Sequence, residues 1–244
     1  MKKLRDLVLA VLLAYLIPLA SSVSADAAIG TFQSIDPDGV FAWRFLHHIV
    51  QALLVGIVIF VLSVLWKRPA SEWGLNLNQK EWSLDVTWKF CIGCVVYSLI
   101  VAWLSISPSG VPSAIDHDMT ARNVVGNLLF LFTMPGISEE LLFRALIMTV
   151  LSRSWGERIR VAGLDVPSAG FIAAILFALA HVGFTLVPFK ITYLDPMQVG
   201  IAFAFGIFHA IMYDRTKSLL GPVLVHNASD GILATISYIV RVVK

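Results

Sequence analysis

The sequence predicts an all-α fold, a polytopic transmembrane helical bundle of about seven spans. Three observations carry that expectation: a composition too apolar for a soluble chain, apolar runs of membrane length, and basic residues gathered in alternate loops. Of the 244 residues, 58% are hydrophobic and 14% charged, and the mean hydropathy is +0.82. Soluble domains carry about 25% charged residues, and a soluble core of this size would need a polar shell that is missing here. The same figures exclude a disordered chain, a collagen-like chain and a disulfide scaffold. A net charge of +2 gives no footing for a nucleic-acid partner. The length bounds the chain to one integral membrane domain over 1–244.

A helix needs about 20 residues to cross ~30 Å of hydrocarbon. Runs of that order lie near 7–25, 42–66, 90–106, 124–150, 170–187, 197–213 and 218–240. Turn signals separate them: Lys67-Arg68-Pro69, Pro108-Ser109-Gly110 and Asp195-Pro196. No internal repeat or low-complexity segment is present. The first run has two readings. Lys2, Lys3 and Arg5 precede an apolar stretch holding Pro18, and Val23-Ser24-Ala25 resembles a signal-peptidase site. A retained helix gives seven spans and a cleaved signal peptide gives six.

Basic residues stay on the cytoplasmic side. Segments 1–6, 67–89, 151–168 and 214–217 hold twelve of the 18 Lys and Arg. The opposite loops hold Arg122, Lys190, Arg241 and Lys244, while Arg44 and Arg144 fall in spans. The expected orientation has a cytoplasmic N-terminus and an outward C-terminus. The expected location is a membrane, with a bacterial inner membrane read from the short basic start.

The fourth span contains Ser138-Glu139-Glu140-Leu141-Leu142-Phe143-Arg144. Each ionised residue near a helix centre costs about 2.5–3.5 kcal/mol on insertion scales, so a lipid-facing role cannot explain three of them. At ~100° per residue Glu140 and Arg144 share a face and suit an i,i+4 ion pair. Glu139 lies about 140° from Arg144, which leaves one carboxylate neutralised and one free. The alternative is a buried structural salt-bridge cluster. Phe177 and His181 share a face of the fifth span, and His226 and Asp230 share one on the seventh. A lone histidine in a bundle is usually an interhelical hydrogen bond. Here the histidines and glutamates fall about 8–15 residues from a boundary, roughly 12–22 Å deep, which favours one polar chamber.

A free glutamate in a low-dielectric pocket can act as a general base, and a neighbouring imidazole can orient the water it activates. A second imidazole with a short polar side chain can stabilise an oxyanion. The same set, Glu139, His181 and His226, could instead hold Zn²⁺ with an activated water. Either route hydrolyses a bond inside a membrane, and no cofactor is certain. No HExxH occurs, nor the rhomboid serine or presenilin-type Gly-x-Gly-Asp signature.

Three ordered motifs, Glu139-Glu140-x-x-x-Arg144, Phe177-x-x-x-His181 and His226-x-x-x-Asp230, resemble those of the CAAX protease and bacteriocin-processing (CPBP, or Abi) family, whose eukaryotic relatives are the Rce1-type CAAX prenyl endopeptidases. The approach Asp214-Arg215-Thr216-x-Ser218-Leu219-x-x-Pro222-Val223-Leu224 is similar too, as is Ser71-Glu72-Trp73-Gly74-Leu75-Asn76-Leu77. The likeness covers 120–232, the expected catalytic core. It implies an intramembrane endopeptidase acting on a membrane-anchored peptide or protein, such as a CAAX tail, a leader or a sorting tail. It implies Glu139 as base with His181, His226 and Asp230 at the oxyanion, and Glu140, Arg144 and Phe177 as support. Many relatives carry Asn where this chain has Asp230. An ionised Asp230 would repel an oxyanion, so it must be protonated, orient His226 or bind metal. The competing class is a non-enzymatic membrane protein, a proton-linked transporter or an immunity-type binder; buried Glu and His suit proton relays, but inverted repeats and paired broken helices are missing.

Other residues read as structural. Cys91-Ile92-Gly93-Cys94 fits small-residue packing better than redox exchange or metal binding; His209, after Gly206, either lines the chamber or has the more usual packing or hydrogen-bond role; and His47 and His48 fit a headgroup-level position beside Trp43. Trp66 and Trp73 read as interface anchors.

Overall fold

The computed structural model describes residues 1–106, 115 and 117–243. The apolar runs form helices: α1 Lys2–Ala28, α2 Ala42–Trp66, α3 Lys80–Ile106, α4 Ala121–Thr133, α5 Pro135–Glu140, a π-helical stretch Leu141–Met148 running into α6 Thr149–Ser152, α7 Ser168–Leu179, α8 Pro196–Thr216 and α9 Leu220–Val243. The chain is a helical membrane bundle. Five helices are long and apolar enough to cross a bilayer, and α7 is a shorter apolar helix. The composite helix from Ala121 to Ser152 corresponds to the fourth expected span. The Pro108-Ser109-Gly110 turn lies outside the described residues.

Local chemistry sets the helix ends. Asp195 caps α8, its carboxylate accepting from Met197 and Gln198 N–H at 2.9 and 3.2 Å, with Pro196 at the first helical position, where no N–H is needed. Lys67, left-handed at φ 52°, closes α2. Ahead of α2 the buried Asp36 carboxylate accepts from Val40, Phe41 and Ala42 N–H at 2.7–2.9 Å. Burial pushes that carboxyl up, but the backbone donors outweigh it and hold it below the usual aspartate range.

Two expected boundaries move. α3 starts ten residues before the expected 90, because Lys80 and Glu81 begin a helix that the apolar run alone did not reveal. The fifth span, read as 170–187, is helical only over Ser168–Leu179. A hairpin follows, β3 Gly183–Leu186 pairing antiparallel with β4 Phe189–Tyr193; the β-branched and aromatic residues that made the segment look apolar are strand formers. A second hairpin, β1 Arg158–Val161 and β2 Leu164–Pro167, joins α6 to α7.

The segments expected to share the cytoplasmic side do meet at one end of the bundle. Lys3 pairs with Glu157, Arg158 with Asp214, and Asn76 donates to the Lys217 carbonyl at 2.7 Å. Arg153 stacks over Trp66 at 3.7 Å. Trp73 is not an interface anchor: it is fully buried and stacks on Trp66 at 5.7 Å. α1 runs unbroken through Val23-Ser24-Ala25 and buries Ala10, Ile17, Ser21 and Ala25. The Cys91-Cys94 pair is reduced, with Cys94 buried, and Gly93 faces open space, so no close helix approach forms at that glycine.

Candidate active site

The helix carrying the two glutamates is interrupted on both sides of them. Pro135 has no N–H to continue α4, and Asn227 of α9 bridges the gap. Its Oδ1 accepts the Gly136 N–H at 2.7 Å and its Nδ2 donates to the Thr133 carbonyl at 3.1 Å. Gly136 is required there, since a Cβ would lie 2.7 Å from the Val223 carbonyl oxygen. Downstream, the backbone widens into the π stretch that contains Arg144; such irregular turns recur at functional sites.

Between these interruptions the two carboxylates diverge as their spacing predicts. Glu140 is fully buried. Its Oε2 lies 3.0 Å from Arg144 Nε, and its Oε1 accepts from His226 Nδ1 at 2.7 Å and His209 Nδ1 at 3.0 Å. Arg144 also donates to the Gly206 carbonyl at 3.2 Å and lies 4.8 Å over the Phe177 ring. Glu139 makes none of these bonds. Its Oε2 lies 3.8 Å from His226 Nε2, on the same side of that ring as Asp230 Oδ2 at 3.6 Å. Glu139 and Asp230 keep partial exposure, with 22% and 32% of their side chains open.

His181 sits just past the end of α7. Its Nδ1 bonds the Phe177 carbonyl at 2.8 Å, which fixes it as the donor nitrogen and leaves Nε2 as an acceptor. The Phe177 ring meets both imidazoles edge-on, 5.0 Å from His181 and 5.9 Å from His226. His181 is within electrostatic reach of Asp230. The structure thus groups Glu139, His226 and Asp230 around one imidazole nitrogen, and packs His181 against the Phe177 ring that also meets His226.

Two further histidines surround this centre, His48 in a place its sequence context did not indicate and His209 in the hydrogen-bond role expected of it. His48, expected to be a solvated residue beside Trp43, turns inward and hydrogen-bonds Ser138, the neighbour of Glu139. The available signal was its i,i+4 spacing from Arg44. His209 is fully buried and is a ligand of the Glu140 carboxylate's hydrogen-bond sphere. Ala202, Gly206 and Ala210 share its buried side of α8, a small-residue pattern that marked the face but not the partner.

The zinc alternative meets the donor set unfavourably. Among the described residues the group with ligand atoms within 4.8 Å of one another is Glu140, His209 and His226, rather than Glu139, His181 and His226. Its atoms are already committed, since Glu140 Oε1 accepts both Nδ1 hydrogens and its other oxygen faces the Arg144 cation. A divalent ion there would have to displace both hydrogen bonds beside a guanidinium. These residues fit an anchored carboxylate rather than a metal centre.

The chain matches no curated protein and no solved structure. Residues 121–232 match the family model for "Type II CAAX prenyl endopeptidase Rce1-like". That segment, which carries Glu139, His181, His226 and Asp230, is similar to the Rce1-like family of membrane proteases.

Proposed function

We propose that this protein is an intramembrane endopeptidase that hydrolyses a peptide bond of a membrane-associated substrate by attack of a water activated by Glu139. The observation that carries this reading is the division of labour between adjacent carboxylates. Glu140 is consumed by Arg144, His209 and His226, while Glu139 stays uncommitted and partly open beside His226.

A water held by Glu139 gives it a proton as it attacks the scissile carbonyl, and that proton passes to the departing amine. His181, fixed by its backbone bond with Nε2 free to accept, orients the water. For His226 to stabilise the oxyanion through Nε2 it must carry hydrogen on both nitrogens, because Nδ1 already donates to Glu140. Asp230, 3.6 Å from that nitrogen, supports the doubly protonated ring; this gives an aspartate at the asparagine position a role compatible with an oxyanion nearby. CAAX-type, leader and sorting tails all have the required chemistry, a peptide bond tethered at the bilayer. The basic end is assigned to the cytoplasm of a bacterial inner membrane on the positive-inside rule.

The test uses purified protein with membrane-anchored peptides. Glu139→Gln lowers cleavage by about 10²–10⁴-fold, the usual worth of a general base; unchanged cleavage would overturn the assignment. A strong chelator leaves the wild-type rate unaltered, whereas loss restored by Zn²⁺ would overturn the glutamate route.

A further inference from the structure

We infer that His209, which belongs to none of the three motifs, is a positioning residue of this centre: its Nδ1–H shares Glu140 Oε1 with His226 and thereby fixes the direction in which His226 faces Glu139 and Asp230. The inference rests on the peptidase reading and adds a residue to it.

His226 Nδ1 has Glu140 as its hydrogen-bond acceptor, so the orientation of that carboxylate decides where Nε2 points. Glu140 has two oxygens to be fixed. Arg144 holds one at 3.0 Å. The other offers two lone pairs, taken by His226 at 2.7 Å and His209 at 3.0 Å. Without His209 one lone pair in a fully buried site is bare, and the carboxylate is free to rotate toward Arg144.

α8 is itself tied to this cluster twice within one turn, through the Gly206 carbonyl on Arg144 and through His209. The His209 ring lies 5.5 Å from His226 and 6.0 Å from both Phe205 and Phe208. Its Nε2 is buried with no protein partner among the described residues. An apolar side chain would fill this space without the penalty of an unsatisfied acceptor, so packing alone does not account for a histidine. Its bond to Glu140 does.

The experiment compares kcat and KM for cleavage of a membrane-anchored peptide by wild type, His209→Leu and His209→Asn in detergent or liposomes. The Asn amide N–H reaches the place of Nδ1–H. His209→Leu is expected to lower kcat about 10–100-fold, the range for a misplacement of an ångström or less, with KM within about threefold. His209→Asn restores kcat to within about fivefold of wild type. Full kcat in His209→Leu, or equal impairment of both folded variants, overturns the inference. Should His209→Leu not fold, His209→Gln replaces it, because its longer amide carries the N–H beyond Oε1. Wild type and Glu139→Gln run alongside; an inactive wild type refutes the peptidase reading rather than this one. A readout independent of turnover is the ¹⁵N spectrum of labelled histidines. The Nδ1 signal of His226 shifts in His209→Leu and stays in place in His209→Asn; an unmoved signal in His209→Leu overturns the inference.

Discussion

Asn227 holds Gly136 by a 2.7 Å hydrogen bond across the break that precedes the two glutamates. The residue next to it in sequence, His226, enters the polar centre from the same helix. One turn of α9 therefore both anchors the glutamate helix and supplies an imidazole to it. Replacing Asn227 with Leu leaves the Gly136 N–H and the Thr133 carbonyl without this partner. The expected loss is about 1–3 kcal/mol per unsatisfied group, measured by thermal unfolding in detergent, with faster amide exchange at Gly136. Unchanged exchange there would show that the bridge does not hold the break.

Glu140 is predicted to matter more to folding than Glu139. Removing it as Glu140→Leu leaves the buried Arg144 guanidinium without its carboxylate, which costs about 3–5 kcal/mol. The double variant Glu140→Leu, Arg144→Leu recovers much of that loss while staying inactive. Thermal unfolding of the two variants decides the point, and a double variant as unstable as the single one would sink it.

Gly206→Ala tests how closely α7 and α8 must approach. The added methyl would lie 2.9 Å from Ala174 Cα and Cβ, and backbone cannot yield as a flexible side chain does. Overpacking of this kind costs about 1–3 kcal/mol. The displacement would also move the carbonyl that receives Arg144. Lower melting temperature together with lower kcat is expected; a neutral variant would mean the helices separate freely.

Acid sensitivity should report on Asp36. Its carboxyl is held below the ordinary value of about 3.9 by the N–H groups opening α2. A depressed folded-state pKa stabilises above the unfolded value and is lost as pH falls through the folded one. Asp36→Asn should therefore lower the melting temperature by a constant amount above about pH 5, as expected for a weakened cap worth about 0.5–2 kcal/mol. The gap should begin to narrow below about pH 4 and go on narrowing as pH falls through the lower folded value. A gap that does not narrow at all between about pH 5 and about pH 2 argues against the ionised cap.

Much of this was legible because charge is scarce in the chain. The Glu140–Arg144 pair followed from helical spacing alone, and so did the separation of Glu139. That argument survived although Arg144 lies in a π stretch, since Glu140 and Arg144 still meet at 3.0 Å. The partners of His209 and His48 were not legible, because interhelical contacts depend on helix rotation, which periodicity does not fix. Asn227 was set aside at about 100° from His226, but its hydrogen bonds at the Pro135 break needed the neighbouring helix to be seen. The end of α7 was misjudged because hydropathy does not distinguish Phe184, Leu186 and Ile191 in a strand from the same residues in a helix.

The brevity of α7 has a consequence for the bilayer itself. Its 12 residues rise about 18 Å, against a hydrocarbon thickness of ~30 Å. The hairpin that follows has open strand edges, and unpaired backbone groups are not tolerated in contact with acyl chains. Its outward side chains, Val187 at 93% and Phe189 at 72% exposure, nevertheless favour lipid over water. Both demands are met where headgroups begin, so a hairpin seated there would place the headgroup boundary at the end of α7. His181, just past the last turn of α7, would then stand at the level where water begins.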